Sequence, residues 1–320
     1  TGFKIDNYGT NRPFIYVAIR RGPLAAPTDA TKVFAMDTMA NQTPAFDSGF
    51  PVDMAIRRNL DYATSNAIWS RLTGEKYMNT DSTASESNDS ESFDHMDGWG
   101  DGSTYSGNQA WMWKRAPSYF DVCAFSGNST SGRTVSHNLS VSPELMILKR
   151  RTGGGASWTT YVSDLGATKY LRVNNTNAAA TSSGYWNDTA PTSSVFTVGN
   201  DADVNGSGED YIAYLFATVA GVSKVGSFTG TGSDINIDCG FSSGARFIIC
   251  KRTDSTSPWW TFDTVRGIVA GNDAILELNS TNAQYTSYDF IDPLSSGFTV
   301  TGSFSNWNAN GASYIFYAIA

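Results

Sequence analysis

Few of the residues that usually carry chemistry occur in this chain. It has two histidines and three cysteines among 320 residues, and Asp, Glu, Lys and Arg together make up only 16%. Three cysteines exclude a disulfide-rich scaffold. The Cys and His residues show no CxxC or HxxxH spacing, so we expect no zinc site, no other bound metal and no cofactor. P-loop, Rossmann and GxSxG motifs are also absent, and we predict that the protein is not an enzyme.

Charge and hydropathy narrow the classes of partner. The net charge is −8 and the sequence pI about 4.7, which disfavours binding to the phosphate backbone of a nucleic acid. No apolar run approaches 18 residues and no basic-then-apolar leader is visible, so we expect a soluble protein without membrane insertion. Apolar residues nevertheless make up 40% of the chain, alongside abundant Gly, Ser, Thr and Asn. This composition is typical of strand-rich, turn-rich proteins.

An internal repeat is the strongest signal in the sequence. One short apolar phrase occurs four times at a step of about 100 residues, and a period of this kind decides the fold class. Runs that end on a basic pair, such as MILKRR and FIICKR, keep the same step. The four copies of the apolar phrase are FIYVAIR at 14–20, AWMWKRA at 110–116, YIAYLFA at 211–217 and YIFYAIA at 314–320.

The repeat predicts three units, at 21–116, 117–219 and 220–320, joined by short linkers. YIAYLFA is apolar on both faces, which predicts a central strand that is covered on each side. No stretch shows the spacing of a long amphipathic helix. We therefore predict an all-β chain of tandem antiparallel β-sandwich domains, lectin-like or jelly-roll-like. In the third unit the strands are expected near 223–229, 234–241, 245–252, 259–265, 274–279, 296–301 and 313–319.

Residues 1–20 align with the end of the third unit and are expected to form the last two strands of a preceding unit. A lone hairpin with apolar faces is marginal in water and leaves unpaired edge groups. It is therefore expected to be completed by strands upstream, or to dock onto the first full unit or another subunit. In each case Phe14, Tyr16 and Ala18 should be buried, with Ile15 and Val17 covered on the opposite face.

The tryptophans supply the candidate ligand site. Trp69, Trp158 and Trp260 each follow a basic pair and are predicted to be core anchors. Trp259 neighbours Trp260 in a strand and should face the opposite way, so we expect one of the two rings to be exposed. We predict a ligand-binding set in which the exposed ring stacks on a sugar while neighbouring polar groups bind the sugar hydroxyls. The alternative is that Trp259 packs against a neighbouring domain or subunit. The set is Arg252, Asp254, Trp259 and Trp260.

Two acidic stretches are further candidates. Residues 86–102, ESNDSESFDHMDGWGDG, have no counterpart in the other units and are expected to form a solvated loop. The alternative is a pair of carboxylates for acid–base cleavage of a glycosidic bond. DADVNGSGED at 201–210 is similar to a calcium loop, but Ile212 occupies the place of the bidentate Glu, which favours a plain turn.

Basic pairs and cysteines complete the candidates. The pairs at 57–58, 149–150 and 251–252 are expected to be solvated strand ends, with binding of an anionic glycan as the alternative. Cys239 and Cys250 would face each other if their two runs formed a hairpin. Buried thiols are favoured over a bridge, because cysteine packs well as a small apolar side chain.

Several long phrases are specific enough to compare with known families: MWKRAPSYFDVCAFSG (112–127), HNLSVSPELMILKRR (137–151) and the segments 170–199, 204–233 and 245–268. They resemble a repeat domain of marine tailed bacteriophages. In that family the repeats occur in virion structural proteins, mostly assigned to tails or tail fibres. The resemblance covers essentially the whole chain, although 86–109 departs from the pattern. It implies a lectin-like sandwich and a virion location, after assembly in the host cytoplasm, and it carries no catalytic residues.

The resulting expectation is a non-enzymatic virion structural protein, a tail fibre or adhesin. It would bind other virion proteins or host-surface glycans. A glycan depolymerase using the carboxylates of 86–102 is the alternative. The resemblance also implies self-association as a homo-oligomer, such as the trimer common among phage fibres. Since no heptad run is present, we expect this association to use domain surfaces.

Overall fold

The computed structural model describes residues 25–40, 42–100, 107–302 and 304–320. The predicted hairpin at 1–20 lies outside the described residues. Nearly all regular structure is antiparallel strand, which confirms the all-β prediction. Two helices of four residues, α1 (Ser183–Trp186) and α2 (Ala202–Asn205), and two 3₁₀ turns, Ala30–Lys32 and Ser163–Leu165, complete the described elements.

The strands fall into three sets that follow the repeat. In the first unit β1 to β8 span Phe34–Thr38, Phe46–Asp47, Met54–Asn59, Ala67–Ser70, Lys76–Asn79, Ser87–Asn88, Gly98–Trp99 and Asn108–Trp113. In the second, β9 to β16 span Phe120–Ser126, Arg133–Ser136, Leu145–Arg150, Thr159–Val162, Lys169–Arg172, Ala180–Thr181, Val195–Val198 and Asp210–Phe216. In the third, β17 to β25 span Ser223–Thr229, Ile235–Asp238, Phe247–Arg252, Trp259–Asp263, Asp273–Glu277, Tyr285–Tyr288, Ile291–Leu294, Gly297–Val300 and Ser313–Ile319.

Each unit contains one six-stranded sheet, and the three sheets have the same strand order. The orders are β1-β8-β3-β4-β5-β6, β9-β16-β11-β12-β13-β14 and β17-β25-β19-β20-β21-β22. Each unit also has a smaller sheet, β2-β7, β10-β15 or β18-β24-β23. A buried apolar cluster lies within each unit, consistent with β-sandwich domains. All seven strands predicted for the third unit are present, and β22 and β23 were not predicted.

The recurring apolar phrase is the strand that stands second in each large sheet. In β16, Ile212, Tyr214 and Phe216 belong to one buried cluster, whereas Ala213 and Leu215 belong to the core inside the second unit. Strands β8 and β25 divide their side chains in the same way. Alternate side chains of a strand face opposite sides of a sheet, so the phrase is apolar throughout because both sides are covered. This prediction is confirmed.

The second cluster is shared by all three units, and we call it the inter-unit core. Trp113 of the first unit lies 6.5 Å from Phe216 of the second, and Phe216 lies 5.0 Å from Tyr317 of the third, measured between ring centroids. A small apolar cavity of about 30 Å³ lies in the inter-unit core. Its lining includes one isoleucine at the equivalent position of each unit: Ile56, Ile147 and Ile249. The three large sheets therefore face one another around a common core.

Candidate functional site

Three equivalent basic residues lie at the contacts between units. Arg58, Lys149 and Lys251 occupy the same register on β3, β11 and β19, next to the recurring strand. All three are buried, with at most 1% of the residue exposed. The prediction that the basic pairs are solvated strand ends is wrong for these members, because the inter-unit core covers that face of the sheet.

The three cations donate to backbone carbonyls of a neighbouring unit. The Nζ of Lys149, in the second unit, donates to Thr83 O of the first at 3.0 Å. The Nζ of Lys251, in the third, donates to Thr176 O of the second at 3.2 Å. Arg58, in the first, donates through Nη1 to Ser280 O of the third at 3.2 Å. The second unit thus donates to the first, the third unit to the second, and the first unit to the third. The three units therefore close into a ring.

Burial of the two lysines has an electrostatic consequence. It lowers the pKa of Lys149 and of Lys251 to about 8, since the charged ammonium loses its water. The carbonyl of Ala156 also accepts from Lys149, at 2.5 Å, and the carbonyl of Arg252 accepts from Lys251, at 2.7 Å. The ammonium groups of Lys149 and Lys251 bind carbonyls of the neighbouring unit and are covered by it. They are therefore not available to a ligand from solvent.

A second set of equivalent residues follows the same ring. Trp259 pairs with Lys251 between β20 and β19, and Asn66 and Trp158 stand at the equivalent place, directly before β4 and β12. Their side-chain N–H groups donate to the carbonyls of one equivalent residue in the neighbouring unit. Asn66 donates to Glu277 O at 2.9 Å, Trp158 to Asn79 O at 2.8 Å and Trp259 to Arg172 O at 2.9 Å.

This register corrects the sequence alignment of the tryptophans. Trp158 is equivalent to Trp259, not to Trp260, and the first unit has Asn66 at that place. Trp69 lies three positions further along its strand. The sequence offered two adjacent tryptophans for one position, and the choice between them depends on strand pairing, which the spacing does not reveal.

The predicted exposure of Trp259 is wrong. Only 1% of Trp259 is exposed, its ring belongs to the inter-unit core, and it packs on the second unit as the alternative held. Trp260 lies in the core of the third unit, 5.4 Å from Phe290, as expected for a core anchor. Neither ring offers a face on which a sugar could stack.

Arg252 and Asp254 lie at the surface beside this region. The Nε of Arg252 donates to the Asp254 carboxylate at 2.7 Å, and this bond lowers the pKa of Asp254. The Nη1 of Arg252 also donates to the carbonyl of Ser305. The structure therefore separates the four predicted site residues: two are core rings, and two form an ion pair that binds the loop around Ser305.

The acidic stretch at 86–102 is less solvated than expected. Glu86 pairs with Lys76 at 2.6 Å and with Arg151 of the second unit at 2.7 Å, and Glu91 is buried against Arg57. Phe93 and Trp99 are also buried, in the core of the first unit. The prediction of a solvated loop is wrong for these side chains, whereas Asp94 and Asp97 are exposed as expected.

The acidic turn at 201–210 uses its oxygens within the protein. Asp201 accepts from the backbone N–H of Asp203 at the start of α2, and Asp203 accepts from Ser157 N and Arg172. The side-chain amide of Asn205 donates to two backbone carbonyls. Across the described ranges, no group of three or more His, Cys, Asp or Glu side chains could hold a metal ion.

The cysteines lie on strands that do not pair with each other. Strand β18, just before Cys239, pairs with β24, whereas Cys250 lies on β19, which pairs with β20 and β25. The hairpin that would have brought them together is therefore wrong. Both are buried free thiols, and burial raises the pKa of Cys239 to about 12.

His137 is buried in a neutral form. Its Nε2 lies 3.1 Å from Thr192 O and its Nδ1 accepts from Leu139 N at 3.2 Å, so Nε2 carries the proton. Burial lowers the pKa of His137, although the hydrogen bond with Thr192 O and the charge of Asp121 oppose this. The unfolded chain then takes up a proton at a higher pH than the folded chain, and stability falls as the pH drops through about 6.5.

We expect His137→Gln to reduce this pH dependence. The difference in melting temperature between pH 7.5 and pH 5.5 should be larger for the native chain than for the variant, because glutamine does not titrate. Thermal unfolding followed by circular dichroism at both pH values measures it. Equal differences in the two proteins would show that His137 does not contribute.

An exposed aromatic pair lies in the third unit, and neither of its residues belongs to the predicted ligand-binding set. Tyr288 on β22 and Phe304 are each 41% exposed, and their ring centroids lie 5.5 Å apart at an interplanar angle of 84°. Buried Phe290 supports both rings, at 5.6 Å from Tyr288 and 5.3 Å from Phe304. The signal in the sequence was the run YTSYDF (285–290), where the second unit has no aromatic residue on its edge strand.

A family model described as a domain of unknown function, DUF7483, matches residues 31–320. The chain belongs to this family. The match spans all three units, so the DUF7483 domain comprises the ring rather than one sandwich. A search of curated proteins finds no significant match. In the described parts of the chain, no helix is long and apolar enough to cross a membrane.

Proposed function

We propose that this DUF7483 chain is a non-enzymatic structural and attachment module of a bacteriophage virion, located in the tail or a tail fibre. The virion location rests on the sequence resemblance, and one structural observation supports a structural role: three sandwiches are closed into a ring around one apolar core. A body closed in this way holds its units together without any ligand, and its repeated units suit a particle component that binds other virion proteins or host-surface glycans.

The proposal is tested on purified particles of the phage that encodes the chain. Antibodies raised against the chain should place immunogold on the tail or its fibres in electron micrographs. Label absent from intact and from disrupted particles, with the chain present in infected-cell lysates, would overturn the virion assignment.

The depolymerase alternative needs free carboxylates in 86–102. Glu86 and Glu91 are engaged in ion pairs, whereas Asp94 and Asp97 are exposed and Asp89 is partly exposed; Asp101 lies outside the described residues. Purified host polysaccharide incubated with the chain should show no release of reducing ends. If the native chain released reducing ends and Asp94→Asn or Asp97→Asn abolished this release, the depolymerase would replace the non-enzymatic proposal.

Self-association remains part of the proposal. The ring already buries, within one chain, the surfaces that three separate sandwiches would share, so any homo-oligomer must use its outer faces. Light scattering at high concentration should give a multiple of the chain mass of 34.5 kDa. A mass of 34.5 kDa at every concentration would contradict self-association.

A further inference from the structure

The exposed aromatic pair, Tyr288 and Phe304, rests on a rigid base. Below it, Phe290 stacks on buried Trp307 with ring centroids 4.9 Å apart and planes 9° apart. The Trp307 Nε1–H donates to Phe290 O and to Thr301 O, both at 3.0 Å. Arg252 fixes the same loop through the carbonyl of Ser305. The two rings are therefore held in place before any ligand arrives, which lowers the entropy cost of binding.

The fold itself does not require aromatic residues at this edge. Strand β22 is the edge strand of the third large sheet, and its counterparts are β6 and β14. Those strands consist of Ser87–Asn88 and Ala180–Thr181, without an aromatic residue. The same topology thus forms with small or polar side chains, so the exposed rings of the third unit need another explanation.

The size of the exposed surface indicates a small ligand. Two aromatic side chains that are each 41% exposed offer about 160 Å², taking about 200 Å² for a whole ring side chain. A stable protein interface needs roughly 800 Å² on each partner. The pair is too small for that and is comparable with one face of a monosaccharide.

Charge and hydrogen-bonding groups narrow the ligand class. Asp289 directly follows Tyr288, and Arg252, which donates to Ser305 O next to Phe304, is already paired with Asp254. This balance disfavours an anionic sugar. Thr286, exposed two residues before Tyr288 on β22, adds a hydroxyl close by in the chain.

We propose that Tyr288 and Phe304 form a stacking site for a neutral hexopyranose unit of a glycan. The C–H groups on one face of the sugar pack on an aromatic ring, while its hydroxyls bond to the polar residues around the pair. This assignment rests on the proposed attachment function and names the ligand class of its site.

The test uses the full chain and an array of neutral and uronic-acid-containing oligosaccharides. The intact chain should bind neutral hexopyranose oligomers, and Tyr288→Ala and Phe304→Ala should each weaken that binding at least tenfold with the melting temperature nearly unchanged. The matched control is Tyr62→Ala, since Tyr62 is a tyrosine of the first unit that is 67% exposed. Its binding should equal that of the native chain.

Three results would overturn the site: no neutral oligosaccharide binds, only anionic ones bind, or Tyr288→Ala and Phe304→Ala bind as the native chain does. Immunogold labelling separates this from the virion proposal. If the antibodies label tails but the chain binds no neutral glycan, only the stacking site is ruled out. A chain that binds through Tyr288 but is absent from virions keeps the site and removes the virion assignment.

Discussion

Trp259→Ala lowers the free energy of unfolding by about 3–5 kcal/mol, the range for removing a large aromatic side chain from a packed core. Trp259 is fully buried in the inter-unit core. The substitution also removes the N–H that donates to Arg172 O at 2.9 Å, which leaves a buried carbonyl without this partner. Equilibrium denaturation in urea measures the change.

Trp259→Phe is the graded control for this prediction. Phenylalanine keeps most of the buried volume but not the N–H group, so its cost should be smaller than that of alanine. A change for Trp259→Ala of less than about 0.5 kcal/mol, the range of ordinary surface substitutions, would show that Trp259 is exposed after all.

Phe247→Ala is expected to be equally costly, because Phe247 joins two units. Its ring, fully buried in the third unit, lies 5.1 Å from Phe34, 5.9 Å from Trp111 and 5.4 Å from Trp113, all of the first unit. Truncation should lower the free energy of unfolding by about 3–5 kcal/mol and weaken the contact between these units. Urea denaturation and limited proteolysis measure the two effects.

Phe304→Ala provides the same chemical change at the surface. Phe304 is 41% exposed, so this variant should lose about 1 kcal/mol or less. If the two variants lose the same stability, the contact between the third and first units does not contribute as the structure requires.

Strand positions were predictable because they depend on local patterns. All seven runs predicted in the third unit became strands, since apolar alternation bounded by turn residues is a property of each run alone. The phrase YIAYLFA also revealed that both of its sides are covered. The sequence did not say what covers the second side, and the answer was the two other units.

The candidate site was less predictable because it depends on pairing between distant segments. Trp259 and Trp260 are adjacent, and only the register of β20 against β19 decides which of them aligns with Trp158. Arg58, Lys149 and Lys251 are each the second-last residue of a strand, and the sequence pattern indicated solvated positions. Their acceptors lie far along the chain, in another unit, and no local pattern identifies such a carbonyl.

The shared core is the central claim, and differential scanning calorimetry of the full chain tests it most directly. Each unit contributes to the inter-unit core, so loss of one unit exposes apolar side chains of the other two. We therefore predict one cooperative transition in which the calorimetric and van't Hoff enthalpies agree. Two or three separable transitions, each with its own midpoint, would contradict the ring and return the units to independent tandem sandwiches.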